Sequence, residues 1–297
     1  MNWKGVLPAI TTNLKADLSV DHGALAAHGR WMIDSGCTGL VCCGSLGEAA
    51  TLSFDEKIAI VRTAVAAVGD RAPVVLGIAS LTTAEAVALA RAAEAAGAQG
   101  LMVLPPYVYA SDWREMKAHV AAVIAATPLS CLLYNNPPAY RTDFLPEQIA
   151  ELAAEHANLH AVKESSGDVR RVTAIRALCG RRLDVLVGMD DAIVEGIYAG
   201  AVGWIAGLVN AFPVESVALF DHASRGDKVR AMALYAWFLP LLRLDTVPKF
   251  VQLIKWVQAE VGRGTPHVRP PRLELTGADL EHARAVLEQA LQERPQL

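Results

Sequence analysis

No block of like charge occurs anywhere in the 297 residues, and the formal net charge is only −4. An electrostatic footprint for nucleic acid or for an anionic membrane is therefore missing. The five cysteines, Cys37, Cys42, Cys43, Cys131 and Cys179, form no CxxC pair. An odd count without scaffold spacing excludes a disulfide framework and predicts reduced, mostly buried thiols, as in a cytoplasmic protein. The eight histidines make no HxH or HExxH spacing, so no metal site is expected. There is no GxSxG turn, which removes the serine-hydrolase layout. No glycine-rich turn follows the first apolar run, where "PAITTNLKAD" stands, which argues against a doubly wound nucleotide-binding sheet. The opening residues "MNWKGVLPAITT" lack the basic-then-apolar layout of an export signal.

What is present is apolar. The hydrophobic fraction of 53% against 20% charged residues fits a globular enzyme rather than a disordered chain. Residues 196–214, "GIYAGAVGWIAGLVNAFPV", carry no charge over nearly a membrane-spanning length. Glycines, an asparagine and a proline interrupt them and no basic cluster flanks them, so a helix end, a buried strand and a loop are expected instead.

Short apolar runs recur at 5–10, 39–43, 73–78, 100–104, 129–134, 159–163, 184–188 and 202–206. Most are nearly continuous, as in strands covered on both faces. Between them, stretches such as "DHGALAAHGRWMIDSG", "FDEKIAIVRTAVAAVG" and "TTAEAVALARAAEAAG" place alanine-rich stripes at helical spacing, opened by Asp, Ser or Thr and closed by Gly. This alternation predicts an α/β fold, a (β/α)8 TIM barrel over residues 1–225. Residues 226–297 read as helix only and predict a C-terminal helical extension packed on the barrel.

In such a barrel the chemistry sits where the strands end. Lys163 is placed at the end of the sixth run, in "LHAVKESSGD". A lysine amine is protonated in water, but burial disfavours the charged form and frees the lone pair to attack a carbonyl. The plainer alternative is a lysine that snorkels out of the barrel or pairs with Glu164. Tyr134, ending the fifth run, is either a core side chain or a general acid–base beside Lys163. The turn "GSLGE" (44–48) offers glycine-flanked N–H groups around Ser45 as a carboxylate cradle. Its Glu48 is either a catalytic carboxylate or, more simply, a cap for the next segment. Asp190 and Asp191 either contact a polar substrate or open the helix that follows. His160, inside the sixth run, reads as a hydrogen-bonded core residue.

Taken together, "GSLGE", "PPY", "YNNP", "VKESSGD" and "GMDDA" at the strand ends resemble the dihydrodipicolinate synthase / N-acetylneuraminate lyase family over essentially the whole chain. The resemblance implies a cofactor-free enzyme, a homotetramer built as a dimer of dimers, that joins a lysine to pyruvate or another 2-oxo acid. It implies that Lys163 is the imine-forming residue and that Tyr134, with Ser45, carries protons. Gly44, Leu46, Asn136, Gly188, Asp190 and Ile205 are the implied substrate contacts, and Tyr107 matches the family's aromatic residue that reaches a neighbouring subunit's site. The synthase branch has two threonines where Ser45 and Leu46 stand, and an arginine soon after the tyrosine for a second carboxylate; here Arg141 comes seven residues after Tyr134. The segments "GWIAGLVNAFP" and "WFLPLLRLDTVPKFVQLIKW" look most like the Δ1-pyrroline-4-hydroxy-2-carboxylate deaminase branch. The expected substrate is then a cyclic imino acid, opened, dehydrated and deaminated to 2-oxoglutarate semialdehyde and ammonia. Alternatives are a 2-keto-3-deoxy sugar-acid dehydratase, a pyruvate aldolase, dihydrodipicolinate synthase itself, or a non-catalytic barrel that binds a small molecule.

Overall fold

The apolar runs become strands because both of their faces are covered. In the computed structural model, which describes residues 1–106, 109 and 111–297, the strands are β1 (Gly5–Pro8), β2 (Leu40–Cys42), β3 (Val74–Ile78), β4 (Gly100–Val103), β5 (Ser130–Asn135), β6 (Leu159–Glu164), β7 (Asp184–Val187) and β8 (Gly203–Ala206). They form one parallel sheet in the order β1-β8-β7-β6-β5-β4-β3-β2. An Ile10 N–H to Val41 C=O bond of 3.0 Å and a parallel bridge between Ala9 and Val41 bring β1 against β2 and close the circle. The fold is a TIM barrel, as the sequence predicts. β1, β2, β4 and β7 stop one or two residues short of their apolar runs, where the chain bends into a rim loop, whereas β5 and β6 run one residue further, to Asn135 and Glu164; Cys43, just past β2, already has φ 55°.

Helices alternate with the strands: α1 (His22–Asp34), α2 (Phe54–Val68), α3 (Thr83–Ala95), α4 (Trp113–Ala125), the single-turn α5 (Pro137–Tyr140), α6 (Pro146–Glu155), α7 (Arg170–Cys179), α8 (Ile193–Tyr198) and α9 (Pro213–Ser224). Their starts follow from capping chemistry. Asp21 and Thr82 each accept an orphan N–H of the first turn, and Ser53 with Glu56 and Asp112 with Glu115 form reciprocal capping boxes. Gly36 (φ 97°) and Gly97 (φ 91°) follow α1 and α3 in the positive-φ region that lets the chain leave a helix without a Cβ clash.

The uncharged stretch 196–214 resolves into the end of α8, β8, a 3₁₀ turn at Leu208–Asn210 and the start of α9. No helix among the described residues is long and apolar enough to cross a membrane. Three further helices, α10 (Lys228–Leu242), α11 (Phe250–Glu260) and α12 (Gly277–Gln292), complete the chain. From α11, Gln258 accepts the Thr11 hydroxyl at 2.7 Å and Lys255 donates to the Thr12 carbonyl at 3.0 Å, so this helix grips the segment that follows β1.

Two expectations are corrected. His160 is exposed although it lies in β6, where its ring nitrogen bonds Ser130 Oγ at 2.8 Å; the strand's alternation turns it away from the core. Glu48 does not cap with its side chain. It is 1% exposed, with one oxygen 2.7 Å from Lys255 Nζ and the other accepting the Arg269 N–H at 3.0 Å. A carboxylate so engaged is a structural tie between the "GSLGE" turn and the C-terminal helices.

Candidate active site

Lys163 and Tyr134 stand opposite one another in the β5–β6 pairing. The lysine is 6% exposed, and its Nζ lies 4.2 Å from the centroid of the Tyr134 ring. The snorkelling alternative is thereby removed. So is pairing with Glu164, because adjacent strand residues point to opposite faces. The Glu164 carboxylate instead accepts the Ser166 N–H at 2.6 Å and Asn135 Nδ2 at 3.1 Å, and burial raises its pKa. Among the described residues, no carboxylate lies within ion-pair distance of the Lys163 amine; the tyrosine ring face is its near neighbour.

Room for the lysine comes from Gly188, just past β7. A Cβ built there meets Ser165 Oγ at 1.9 Å and Lys163 Cε at 2.5 Å, so no other residue fits beside this lysine without displacing it. Gly188 is fixed by its N–H to the Glu164 carbonyl at 3.0 Å.

The Tyr134 hydroxyl accepts Asn136 Nδ2 at 2.9 Å. The same asparagine caps α5, its Oδ1 accepting the Ala139 N–H at 3.1 Å. That single turn sets Tyr140 edge-on to Tyr134, with ring centroids 5.7 Å apart at 85°. The Tyr140 and Ser45 hydroxyls share a hydrogen bond. The turn carrying Gly44, Ser45 and Leu46 is held from below: Thr12 Oγ1 donates to the Gly47 carbonyl at 2.6 Å, and a Cβ on Gly47 would press on the Ile10 carbonyl at 3.0 Å. Lys163, Tyr134, Asn136, Gly188, Ser45 and its neighbours therefore meet at one mouth. Tyr107 lies outside the described residues. Ile205 is buried in β8, paired in register with Leu7.

Asp190 is fully buried, and its carboxylate accepts Trp204 Nε1 at 3.0 Å, the Gly207 N–H at 3.1 Å and the Leu208 N–H at 2.8 Å. It neither caps α8 nor lies open to solvent; it braces the end of β8. Burial raises its pKa to about 6, a rise opposed by its backbone and Trp204 hydrogen bonds and by the nearby Lys163 charge. A second carboxyl, Asp245, comes from the 3₁₀ turn Arg243–Asp245 that follows α10. Its Oδ1 is buried without a hydrogen-bond partner among the described residues, packed where a Cβ on Gly207 would sit 2.0 Å away. Burial and the Asp190 charge push it well above the usual carboxylate range, and Lys163 opposes them. Sequence reasoning missed both Tyr140 and Asp245. Cysteine chemistry gains nothing here: burial pushes the Cys43 thiol up to about 12, which keeps it protonated and inert.

A profile of the dihydrodipicolinate synthetase family matches residues 2–290. The chain belongs to this family. It is 35% identical over 284 residues to the 4-hydroxy-tetrahydrodipicolinate synthase of Mesorhizobium japonicum, a match covering 94% of this chain and 97% of that protein. Among solved structures, the 4-hydroxy-tetrahydrodipicolinate synthase from Methylacidiphilum fumariolicum superposes with a TM-score of 0.94 at 27% identity, covering 98% of this chain and 97% of that one. The chloride-inhibited dihydrodipicolinate synthase of Acinetobacter baumannii, complexed with pyruvate, gives 0.93 at 27% identity over 97% and 98%. Members of the dihydrodipicolinate synthetase family are Schiff-base lysine lyases, and this chain is an enzyme of that kind.

Proposed function

We propose that Lys163 forms an imine with the C2 carbonyl of a 2-oxo acid and that Tyr134 and Ser45 move the protons. The observation that carries this reading is the buried lysine amine 4.2 Å from the Tyr134 ring at the end of two paired barrel strands. The amine adds to C2 and the carbonyl oxygen leaves as water. The resulting iminium draws electrons from C3, so a C3 proton is lost and an enamine forms. Gly44, Ser45 and Leu46 cradle the substrate carboxylate. Asn136 sets the Tyr134 hydroxyl, Gly188 gives the lysine its room, and Asp190 stiffens the β8 rim from behind. A homotetramer is part of the proposal and rests on the family resemblance.

Two specific reactions compete. The names of the relatives support 4-hydroxy-tetrahydrodipicolinate synthase, in which the pyruvate enamine adds to a semialdehyde. The residues at the mouth favour a second reading, Δ1-pyrroline-4-hydroxy-2-carboxylate deaminase. Ser45 and Leu46 replace the two threonines of the synthase branch, and Arg141 is exposed at the end of α5 in a left-handed conformation, φ 54°. In that reaction Lys163 adds to the ring imine carbon and the ring nitrogen is displaced as a primary amine. The C2 iminium then loses a C3 proton, and the enamine expels the 4-hydroxyl as water; isomerisation to a C5 imine and its hydrolysis release ammonia, and hydrolysis at C2 frees Lys163 and 2-oxoglutarate semialdehyde.

The experiment is a substrate panel with two detections, pyruvate consumption and ammonia release. The synthase reading predicts pyruvate loss that depends on aspartate semialdehyde. The deaminase reading predicts ammonia from the hydroxy-pyrroline with no pyruvate present. If only a 2-keto-3-deoxy acid turns over, both specific readings fall and the dehydratase or aldolase chemistry takes their place.

A further inference from the structure

Tyr140 reaches across the barrel mouth. Its backbone belongs to the loop after β5, and its hydroxyl meets that of Ser45 in the loop after β2. The placement is built from several independent contacts. Pro137 and Pro138 open α5, where a missing N–H costs nothing. The Tyr140 N–H closes the turn on the Asn136 carbonyl at 3.0 Å. The ring is locked edge-on against Tyr134, and Asn136 serves both tyrosines at once, through Oδ1 to the turn and through Nδ2 to the Tyr134 hydroxyl.

The direction of the Ser45–Tyr140 bond follows from acidity. A phenol, with a reference pKa of about 10, is far more acidic than an alkyl alcohol, so Tyr140 donates and Ser45 Oγ accepts. The serine's own hydrogen is then left to point at a third group, and a hydroxyl that already accepts a hydrogen bond is the better donor. Ser45 lies beside Gly44 and Leu46, where the substrate carboxylate is expected.

We propose that Tyr140 is a positioning residue that acts through Ser45, holding the serine hydroxyl as a donor toward the imine-bound substrate, with both hydroxyls supplied by one chain. The proposal rests on Lys163 being the imine-forming residue, and it holds for any 2-oxo acid substrate. Without Tyr140 the Ser45 hydroxyl is free to rotate, and the orientation that favours proton transfer at C3 is lost.

The test is hydrogen exchange at the pyruvate methyl group in D₂O, followed by NMR, because it needs no knowledge of the second substrate. On the Lys163 iminium a C3–H bond breaks and its electron pair becomes the C2–C3 double bond of the enamine, neutralising the nitrogen. The proton goes to the Tyr134 oxygen as that phenol's own proton leaves toward water, while the Ser45 hydroxyl, donating to the substrate, holds C3 in line with Tyr134; a deuteron returns by the reverse path. Six proteins are compared, the wild type, Ser45→Ala and Ser45→Thr, each with and without Tyr140→Phe, and each is checked for fold by circular dichroism. Tyr140→Phe keeps the ring and removes only the hydroxyl. The expected result is a loss of about tenfold or more in the maximal exchange rate, with half-saturation by pyruvate nearly unchanged. In the Ser45→Ala background the same substitution is expected to change nothing further. Ser45→Thr, which keeps a hydroxyl for Tyr140 to hold, restores the dependence on Tyr140. Wild-type exchange in Tyr140→Phe overturns the proposal, as does an equal loss in both Ser45 backgrounds, which would assign Tyr140 a role of its own. If the wild type neither exchanges nor forms a borohydride adduct at Lys163, the imine reading fails and this proposal fails with it; exchange that is indifferent to Tyr140 sinks the proposal alone.

Discussion

Tyr134 and Lys163 are register partners on β5 and β6, and the lysine nitrogen stands 4.2 Å from the centre of the tyrosine ring. The ring face favours a nearby cation, while the hydroxyl at the ring's far end is oriented by Asn136. Tyr134→Phe keeps the ring and deletes the hydroxyl. Turnover is expected to fall by roughly 10²–10⁴-fold, the usual worth of a positioned general acid–base. Steady-state kinetics on the substrate identified by the panel checks this, and a wild-type rate removes Tyr134 from the proton path.

Gly188 is the tightest steric constraint on the lysine. In Gly188→Ala the new methyl would lie 2.5 Å from Lys163 Cε and 1.9 Å from Ser165 Oγ. The lysine must shift, and a displacement of this kind costs on the order of 10²-fold in kcat/KM. Circular dichroism should show the barrel intact. An unchanged kcat/KM would mean that the lysine has slack which the close packing denies.

The Glu48–Lys255 pair is a buried ion pair, with side chains 1% and 2% exposed. Lys255→Met leaves the Glu48 carboxylate buried with the Arg269 N–H but without its cation. Removal of one partner from such a pair costs about 3–5 kcal/mol, whereas replacement of both by apolar groups is often neutral. Urea denaturation should show a large loss for Lys255→Met and substantial recovery in Glu48→Leu/Lys255→Met. Equal losses in the two proteins would show that Glu48 gains nothing from Lys255.

His28 gives the fold an acid sensitivity. Its Nε2 donates to Asn210 Oδ1 at 2.9 Å inside the protein, and burial lowers its pKa from 6.5 to about 4. Below about 6.5 the unfolded chain binds a proton here that the native protein does not take up until about 4. Stability contributed above 6.5 is therefore lost as pH falls through this window, by about 3 kcal/mol, and the loss levels off below it. Urea midpoints measured from pH 7 to pH 4.5 should fall steeply for the wild type and less steeply for His28→Gln. Parallel curves would show that His28 is not the group responsible.

The barrel was legible because its strands are continuous apolar runs and its helices carry their caps in Asp21, Ser53 and Thr82. Lys163 was legible for the same reason: a lysine ending an apolar run stands out. Two aspartates before a helix read equally as substrate contacts or as a helix start, and only the burial of β8 turns Asp190 onto Trp204 and Gly207. Glu48 misled because its partner Lys255 arrives from α11, and no local pattern links them. Tyr140 sits in a proline- and asparagine-rich turn without periodicity, so nothing along the chain shows that it leans over Ser45. Asp245 belongs to a helical region that reads as scaffold, and only the fold brings its carboxyl within the field of Lys163 and Asp190. Side chains that meet by topology alone leave no trace in sequence spacing.

The central claim is that Lys163 makes the covalent bond. Reduction with borohydride in the presence of pyruvate, followed by peptide mass spectrometry, measures this directly. The account predicts a stable adduct on the peptide containing Lys163, absent without pyruvate and absent in Lys163→Ala. An unmodified Lys163 peptide at pyruvate well above millimolar, or an adduct confined to another lysine such as Lys255, would contradict it.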